Sequence, residues 1–348
     1  MRSSRARRFF PFDAARRFGL PADVRSSGWP RSVALVALLA LLAGALCAAL
    51  PAAAQETPER VLAAAKSWGY QLQSIDPDAI ADAPYDMFVL DYSRDGTDAE
   101  ALTAAEVERL KRKPDGGRRI VLCYLSIGEA EKYRYYWKWY WGWLFGLFAP
   151  EWRGRQNTEW RGNYGVRYWN EDWQKIIFNG PHSYLDRIMK AGFDGVYLDK
   201  VDEYVDMAKE KPDARALMIA FVKKLAEHAR ASKPGYLVVP QNAEELLTDV
   251  SYRAVIDGLG KEDLLYGETK DKQPNQPEQI AANVALLKLL TADRKPVFVV
   301  EYLDDPREIE AAKKRLLDDG FIPHFADRAL DHMRIGDPPD PGRKPGKK

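Results

Sequence analysis

Carboxylates at the ends of short apolar runs are the residues of this sequence most suited to chemistry. The run Gly195-Val-Tyr-Leu ends in Asp199, and Asp202, Glu203 and Asp206 follow it closely along the chain. Such an apolar run predicts a buried strand, so the sequence delivers an acidic side chain at a strand end. An acid in that position either caps the next helix or faces a substrate.

Glu262 is a second carboxylate of this kind, and it follows the sixth predicted strand. Hydrolysis of a glycosidic bond ordinarily uses two carboxyl groups, one that donates a proton and one that acts as nucleophile or base. Asp199 and Glu262 are predicted at the same edge of one sheet, so their side chains can face each other. A separation of about 5–5.5 Å would give retention of configuration, and about 6.5–9.5 Å would give inversion.

Other reaction classes lack their characteristic residues in this sequence. The four histidines do not have the spacing of metal ligands, and the Gly-x-Ser-x-Gly motif of serine hydrolases does not occur. Cys123 lies within an apolar run, which predicts a buried and unreactive thiol. We therefore expect neither a metal nor an organic cofactor.

Short apolar runs alternate with amphipathic stretches, which is the pattern of βα units around a parallel sheet. The predicted strands are residues 68–73, 86–92, 119–125, 194–198, 236–240, 254–258, 296–302 and 321–325. A capping box of Thr103 and Glu106 predicts one helix start, and further helices are predicted over residues 212–232, 277–291 and 306–318. The fold predicted is a single (β/α)8 TIM barrel with an aromatic-rich insertion between strands 3 and 4. An open doubly wound sheet is the alternative.

Polar side chains end nearly all of the predicted strands. In a barrel, the carboxyl ends of the strands form the active-site face. Side chains there that bind hydroxyl groups suit a polyhydroxylated ligand, although an acid after a strand also commonly caps a helix. Besides Asp199 and Glu262, the candidates at these ends are Gln73, Asp91, Tyr124, Asn242 and Tyr302.

Residues 133–173, between the third and fourth predicted strands, hold eight of the ten tryptophans. The alternation of Trp137, Trp139, Trp141 and Trp143 predicts either a strand or a stripe that partly faces solvent. Flat aromatic rings stack on sugars, pack against a core, or lie at a membrane surface. All three interpretations are open at this point, and the partners expected are a polysaccharide and, through this segment, a membrane surface.

The N-terminal residues 1–54 carry eight arginines against Asp13 and Asp23, and they end in an apolar run followed by small residues. This order predicts a secretory signal peptide or, if it is not cleaved, an N-terminal anchor. We expect the barrel over residues 55–335. Residues 336–348, which are rich in proline, glycine and charge, are predicted to be a disordered tail.

Removal of residues 1–54 leaves 44 basic and 49 acidic residues, a net charge of −5. This balance does not favour nucleic acid as a partner. Cys123 is then the one remaining cysteine, which excludes an internal disulfide. An exported protein without disulfides fits the periplasm or exterior of a bacterial envelope.

Four motifs, in this order, resemble glycoside hydrolase family 114, the endo-α-1,4-polygalactosaminidase family: CYLSIGEAEKYR, GFDGVYLDKVDEY, VVPQNAEELL and AVIDGLGKEDLLYGE. The likeness covers about residues 68–327. The resemblance implies a (β/α)8 barrel in which Asp199 matches the nucleophile and Glu262 the general acid/base. It places four further residues at sugar-contacting strand ends, namely Asp91, Tyr124, Asn242 and Tyr302.

The function implied is an exported, endo-acting and retaining glycoside hydrolase that cleaves internal α-1,4 bonds of a galactosamine-containing or related polysaccharide. The alternatives are a catalytically silent carbohydrate-binding barrel at the cell surface and a membrane-associated protein that uses the aromatic segment. For a substrate that carries ammonium groups, Asp202, Glu203 and Asp206 would form an attractive acidic lip, with helix capping as their other interpretation. Neutralising these three residues should then weaken binding in a salt-dependent way, and an unchanged salt dependence would exclude the lip.

Overall fold

The structure, a computed structural model, describes residues 57–142 and 147–333. The predicted signal peptide or anchor at residues 1–54 and the predicted tail at 336–348 lie outside the described residues. Over the part of the chain that is described, none of the helices has both the length and the apolar character needed to span a bilayer.

The described chain folds as an α/β protein around parallel strands. Five strands form one sheet in the order β1-β2-β3-β7-β8, and three form a second in the order β11-β10-β9. A single parallel bridge, between Gln241 and Gly260, connects β8 to β9. The parallel strands are β1 (Trp68–Gln71), β2 (Met87–Leu90), β3 (Ile120–Ser126), β7 (Gly195–Asp199), β8 (Leu237–Pro240), β9 (Leu259–Glu262), β10 (Val297–Glu301) and β11 (Ile322–Phe325).

Both faces of the parallel strands are buried, which explains why they read as continuous apolar runs. Side chains alternate between two hydrophobic cores, one shared with the helices and one formed mainly by the strands themselves. On β3, for example, Leu122 and Tyr124 lie in the second core whereas Val121 and Cys123 lie in the first. Each fully buried aliphatic side chain contributes about 1.5–3 kcal/mol to folding.

Helices follow most of the parallel strands, and one of them begins at the capping box that the sequence predicts. The capping box of Thr103 and Glu106 is present, and Asp305 caps the helix that starts at Pro306. The helices are α1 (Pro58–Ala64), α2 (Pro77–Ala81), α3 (Ala104–Leu110), α4 (Glu171–Gln174), α5 (Tyr184–Ala191), α6 (Tyr204–Met207), α7 (Ala214–Ser232), α8 (Val250–Val255), α9 (Pro277–Ala292) and α10 (Pro306–Asp318).

The prediction of the sixth strand at residues 254–258 is wrong, because this stretch includes the end of helix α8. The side chain of Asp249 accepts hydrogen bonds from the backbone N–H groups of Ser251 and Tyr252, at 2.8 and 3.1 Å, and so starts a helix. The strand itself is β9, which begins at Leu259 and ends at Glu262.

The segment between β3 and β7 holds a small antiparallel sheet of β4 (Glu129–Glu131), β5 (Arg153–Gln156) and β6 (Asn163–Val166). The alternating tryptophans of this segment do not form a strand where they are described, because Trp139–Gly142 forms a turn of 3₁₀ helix. Trp141, Trp152 and Trp173 are buried, and their rings contact one another at centroid distances of 5.1 and 4.8 Å. Packing therefore accounts for part of this aromatic segment.

Candidate active site

A cavity of about 860 Å³ opens at the carboxyl ends of the parallel strands. Its wall combines these strand ends with the small sheet of β4, β5 and β6. All seven residues that the sequence nominates line this cavity: Gln73, Asp91, Tyr124, Asp199, Asn242, Glu262 and Tyr302.

Asp199 is the last residue of β7 and is held by two donors. The hydroxyl of Tyr124 donates to Oδ2 at 2.6 Å, and the backbone N–H of Lys200 donates to Oδ1 at 2.7 Å. Tyr124 continues the inward row of β3 that includes Leu122, so the two-residue period of the strand aims its hydroxyl at the cavity. The Asp199 carboxylate is therefore fixed from a neighbouring strand and from its own backbone.

Glu262 is the last residue of β9 and has a matching environment. The hydroxyl of Tyr302 donates to Oε1, and the side-chain amide of Asn242 donates to Oε2 at 3.3 Å. Asn242 also accepts the backbone N–H of Glu262 at 3.0 Å. Gly260, two residues earlier, has no side chain because any Cβ there would lie 1.8 Å from the hydroxyl oxygen of Tyr197.

The buried contacts around Glu262 fix the backbone on both sides of it. Lys261 Nζ lies 3.1 Å from the carboxylate of Glu244, and both side chains are almost fully buried. Beyond Glu262, the buried carboxylate of Glu301 accepts the backbone N–H of Leu265 at 2.8 Å. Burial raises the pKa of Glu301 to about 8.

The chain turns sharply after three of the strands that form the site. Lys200, Asn242 and Asp263 follow the ends of β7, β8 and β9, with φ values of 57°, 57° and 53°. This left-handed conformation costs a non-glycine residue about 1–3 kcal/mol and is found preferentially at functional sites. The turns carry the backbone away while the strand-end carboxylates stay directed at the cavity.

Burial raises the pKa of both carboxyl groups. The pKa of Asp199 rises to about 7, first through burial and then through the negative charge of Glu262, while the hydrogen bond from Tyr124 opposes the rise. Burial also raises the pKa of Glu262, and donation from Tyr302 opposes it. Because the negative charge of Glu262 contributes to the raised pKa of Asp199, a proton on Glu262 favours the ionised form of Asp199.

Asp91 lies at the cavity wall, but its carboxylate forms an ion pair with Arg134. The guanidinium group of Arg134 contacts both carboxylate oxygens of Asp91, at 2.8 and 2.6 Å, and it contacts Glu131 at 2.6 Å. All three side chains are nearly inaccessible to solvent. This triad attaches the start of the aromatic segment to the end of β2, so Asp91 has a structural task besides the predicted contact with sugar.

Gln73 lies at the rim, because β1 ends at Gln71 and not at residue 73. Its side chain is exposed and donates to the carbonyl of Ala329 at 3.0 Å. Its backbone N–H donates to the carbonyl of Leu330 at 3.0 Å. Gln73 therefore joins the end of β1 to the chain that follows β11.

The prediction of an acidic lip is wrong for Glu203. A 3₁₀ turn at Val201–Glu203 directs this side chain inward, where it is 4% exposed and lies 3.7 Å from Lys200 Nζ. Burial raises the pKa of Glu203 to about 8, and the Lys200 charge opposes the rise. Asp202 does line the cavity, whereas Asp206 is exposed outside it.

The structure adds residues that the sequence did not nominate. Tyr70 donates to Gln241 Oε1 at 3.1 Å in the floor of the cavity, and the alternation of β1 could have identified it. Arg328 binds both oxygens of Asp263 at 3.0 Å and lies 4.3 Å from the ring centre of Tyr302. Arg328 follows the eighth predicted strand, but its partners come from other strand ends, so the sequence did not single it out as a site residue.

In residues 57–142 and 147–333, the histidine, cysteine, aspartate and glutamate side chains form no group of three or more that could hold a metal ion.

The chain is similar in sequence to several known proteins. The model of glycoside-hydrolase family GH114 matches residues 48–336. An uncharacterised protein of Methanocaldococcus jannaschii is 37% identical over 282 residues, which cover 76% of this chain and 77% of that protein. A protein of Deinococcus radiodurans is 37% identical over 284 residues, covering 80% of this chain and 85% of the relative.

Among solved structures, the chain is similar to the glycoside hydrolase domain of PelA from Pseudomonas aeruginosa. The TM-score is 0.59 at 19% identity, and the match covers 77% of this chain and 97% of that domain. At this level of identity the likeness concerns the fold.

Proposed function

The chain belongs to glycoside-hydrolase family GH114, as its four motifs predict, and on this basis we propose which bond it cleaves and how. The proposed reaction is endo-hydrolysis of α-1,4 bonds in a galactosamine-containing or related polysaccharide, with retention of configuration. Asp199 is the nucleophile and Glu262 the general acid/base.

One observation supports this proposal most directly. The partly buried carboxylates of Asp199 and Glu262 line the same cavity, and each accepts a hydrogen bond from a tyrosine hydroxyl. Few structural roles require two acids with raised pKa values to face one solvent-accessible space. The polar wall of the cavity supports a ligand with many hydroxyl groups.

The proposed reaction proceeds in two steps, which form and then hydrolyse a glycosyl ester. Asp199 attacks the anomeric carbon while Glu262 protonates the departing glycosidic oxygen, which gives a glycosyl ester on Asp199. Glu262 then removes a proton from water, and the water displaces Asp199. A protonated Glu262 no longer raises the pKa of Asp199 by its charge, so Asp199 can remain ionised as the nucleophile.

The finer fold and the location belong to the same proposal. Adjacent parallel strands follow one another in chain order. The backbone N–H groups of Leu72 and Gln73, which follow β1, donate to the carbonyl of Leu330, which follows β11. This contact between the first and the last parallel strand supports closure into a (β/α)8 barrel. Export to the bacterial envelope, predicted from residues 1–54, fits an enzyme whose substrate is an extracellular polymer. Protease protection tests export, because a cytoplasmic protein stays protected as long as the inner membrane is intact, whereas an exported protein is digested once the outer layers of the envelope are opened.

Release of reducing ends from partly deacetylated galactosamine polymers tests the reaction. The wild-type protein is compared with Asp199→Asn and Glu262→Gln, and each variant should lose at least about 10³-fold in rate. Asp206→Asn serves as a matched control, because this exposed carboxylate lies outside the cavity. Wild-type protein that binds the polymer without cleaving it would favour the silent carbohydrate-binding barrel.

Membrane contact through the aromatic segment stays a prediction. Trp139, Leu147 and Phe148 are 74%, 78% and 53% exposed, and none of them lines the cavity. Co-sedimentation with lipid vesicles should then be lost when all three are replaced by serine. Equal recovery of the two proteins in the pellet would remove this partner.

A further inference from the structure

The described tryptophans of the aromatic segment fall into different environments. Trp137 stacks on Tyr164 at 4.9 Å, and Trp141, Trp152 and Trp173 pack together in the interior. Trp160 differs from these four, because its side chain is 54% exposed and lines the cavity. Among the described residues, it is the one tryptophan that reaches the cavity.

The loop that carries Trp160 is held in place although it lies at the surface. It connects β5 to β6, and the side-chain oxygen of Asn157 accepts the backbone N–H of Trp160 at 3.1 Å. The carbonyl of Trp160 accepts the backbone N–H of Asn163 at 3.1 Å. Both peptide groups of Trp160 are therefore fixed.

A buried carboxylate anchors this loop. The amide of Asn157 donates to Glu129 Oε1 at 2.7 Å, and Asn163 donates to Glu129 Oε2 at 3.3 Å. Glu129 is only 4% exposed, so its position is set by the interior of the protein. The chain of contacts runs from the interior through Asn157 to the backbone of Trp160, which preorganises the exposed ring.

Tyr133 is the other exposed aromatic residue at the cavity, and its ring is already engaged. The guanidinium group of Arg134 lies 4.7 Å from the centre of this ring, and the hydroxyl donates to Glu131. Within the described part of the chain, no aromatic ring packs on Trp160 as one does on Trp137, Trp141, Trp152 and Trp173. A held but uncovered indole is suited to receive a ligand.

We propose that Trp160 is a stacking platform for a pyranose ring of the polysaccharide at a subsite separate from the cleaved bond, and that Asn157 positions it. The proposal rests on the function proposed above. The apolar C–H face of a pyranose fits the face of an indole, and the flanking Glu159 and Arg161 line the same cavity and can bind hydroxyl groups. The cavity volume is near the upper end for small-ligand sites, so it accommodates more than one sugar ring.

Chain-length dependence tests the subsite. Binding and cleavage of partly deacetylated galactosamine oligosaccharides of two to eight units are measured for the wild type, Trp160→Ala and Trp160→Phe. Trp160→Ala should bind the long oligosaccharides about tenfold more weakly, with the shortest ones unchanged, and Trp160→Phe should restore most of the loss. Trp139→Ala is the matched control, because Trp139 is exposed on the same segment but does not line the cavity.

Asn157→Ala tests the positioning role. It should raise KM for long oligosaccharides with kcat and the short substrates unchanged, and it should add little to Trp160→Ala in a double variant. Equal length dependence in Trp160→Ala and the wild type would overturn the subsite and leave the proposed function standing. A wild-type protein that neither binds nor cleaves the series would contradict the proposed function and the subsite together.

Discussion

The cavity has two corners that share one local design and differ in what surrounds them. The β7 corner consists of Asp199, Tyr124 and Lys200, and the β9 corner consists of Glu262, Tyr302 and Asn242. In each corner a strand ends in a carboxylate, and a tyrosine from a neighbouring strand donates to it. Each corner also has a residue with a left-handed backbone, which is Lys200 after β7 in one and Asn242 after β8 in the other.

The charges behind the two corners differ. In the β7 corner, Lys200 Nζ lies within 4.0 Å of three carboxylates, those of Glu129, Asp202 and Glu203. In the β9 corner, Lys261 Nζ lies 3.1 Å from the carboxylate of Glu244, and the guanidinium group of Arg328 contacts Asp263 and the ring of Tyr302. In the proposed mechanism, these different surroundings would give two similar acids different roles.

The largest expected contrast lies in the dependence on the leaving group. An aryl glycoside with a weakly basic phenolate needs little protonation, so Glu262→Ala should lose far less rate on it than on the polymer, where general acid catalysis contributes about 10²–10⁴-fold. Asp199→Ala should be inactive on both substrates, because the covalent step is lost. The two rates are measured side by side with the wild type.

Added azide sharpens this contrast. In Glu262→Ala, azide should speed turnover of the aryl glycoside, because it attacks the glycosyl ester without a general base. If Asp199→Ala instead kept its activity on the aryl glycoside and Glu262→Ala lost that activity, the two roles would be reversed.

Removal of the cation behind each corner should affect stability unequally. Lys200→Met leaves a cluster of poorly exposed carboxylates without its ammonium group, and we expect a loss of about 1–3 kcal/mol in the free energy of unfolding. Arg328→Met removes ion pairs at a side chain that is 40% exposed, which solvent screens, so the loss should stay below about 1 kcal/mol. Urea denaturation measures both, and equal losses would remove the distinction.

The smallest expected contrast concerns the pH profile of kcat/KM. Tyr124→Phe removes a hydrogen bond that lowers the pKa of Asp199, so Asp199 becomes protonated at higher pH and the acidic limb moves upward. Tyr302→Phe likewise raises the pKa of Glu262, which keeps its proton to higher pH, so the alkaline limb moves upward. Each shift should be about one pH unit. A shift of the same limb in both variants would contradict the separate roles.

Much of the site was predictable because its signals are local. The end of an apolar run places Asp199 at a strand end, and the capping box of Thr103 and Glu106 marks the start of α3. The prediction placed the sixth strand too early in the chain, because Asp249 caps a short helix that occupies the beginning of the predicted strand. Periodicity alone does not separate a short buried strand from a short buried helix.

The sequence by itself determined the alternation of strands and helices, the strand-end carboxylates and the family, since each depends on residues that are close in the chain. Only the tertiary structure decided that Arg134 binds Asp91, that Glu203 is buried beside Lys200, and that Trp160, alone among the described tryptophans, lines the cavity. The physical reason is that packing of the whole sheet decides which side chains are buried, as for Glu203, and that the ion pair of Arg134 with Asp91 joins residues 43 positions apart in the chain.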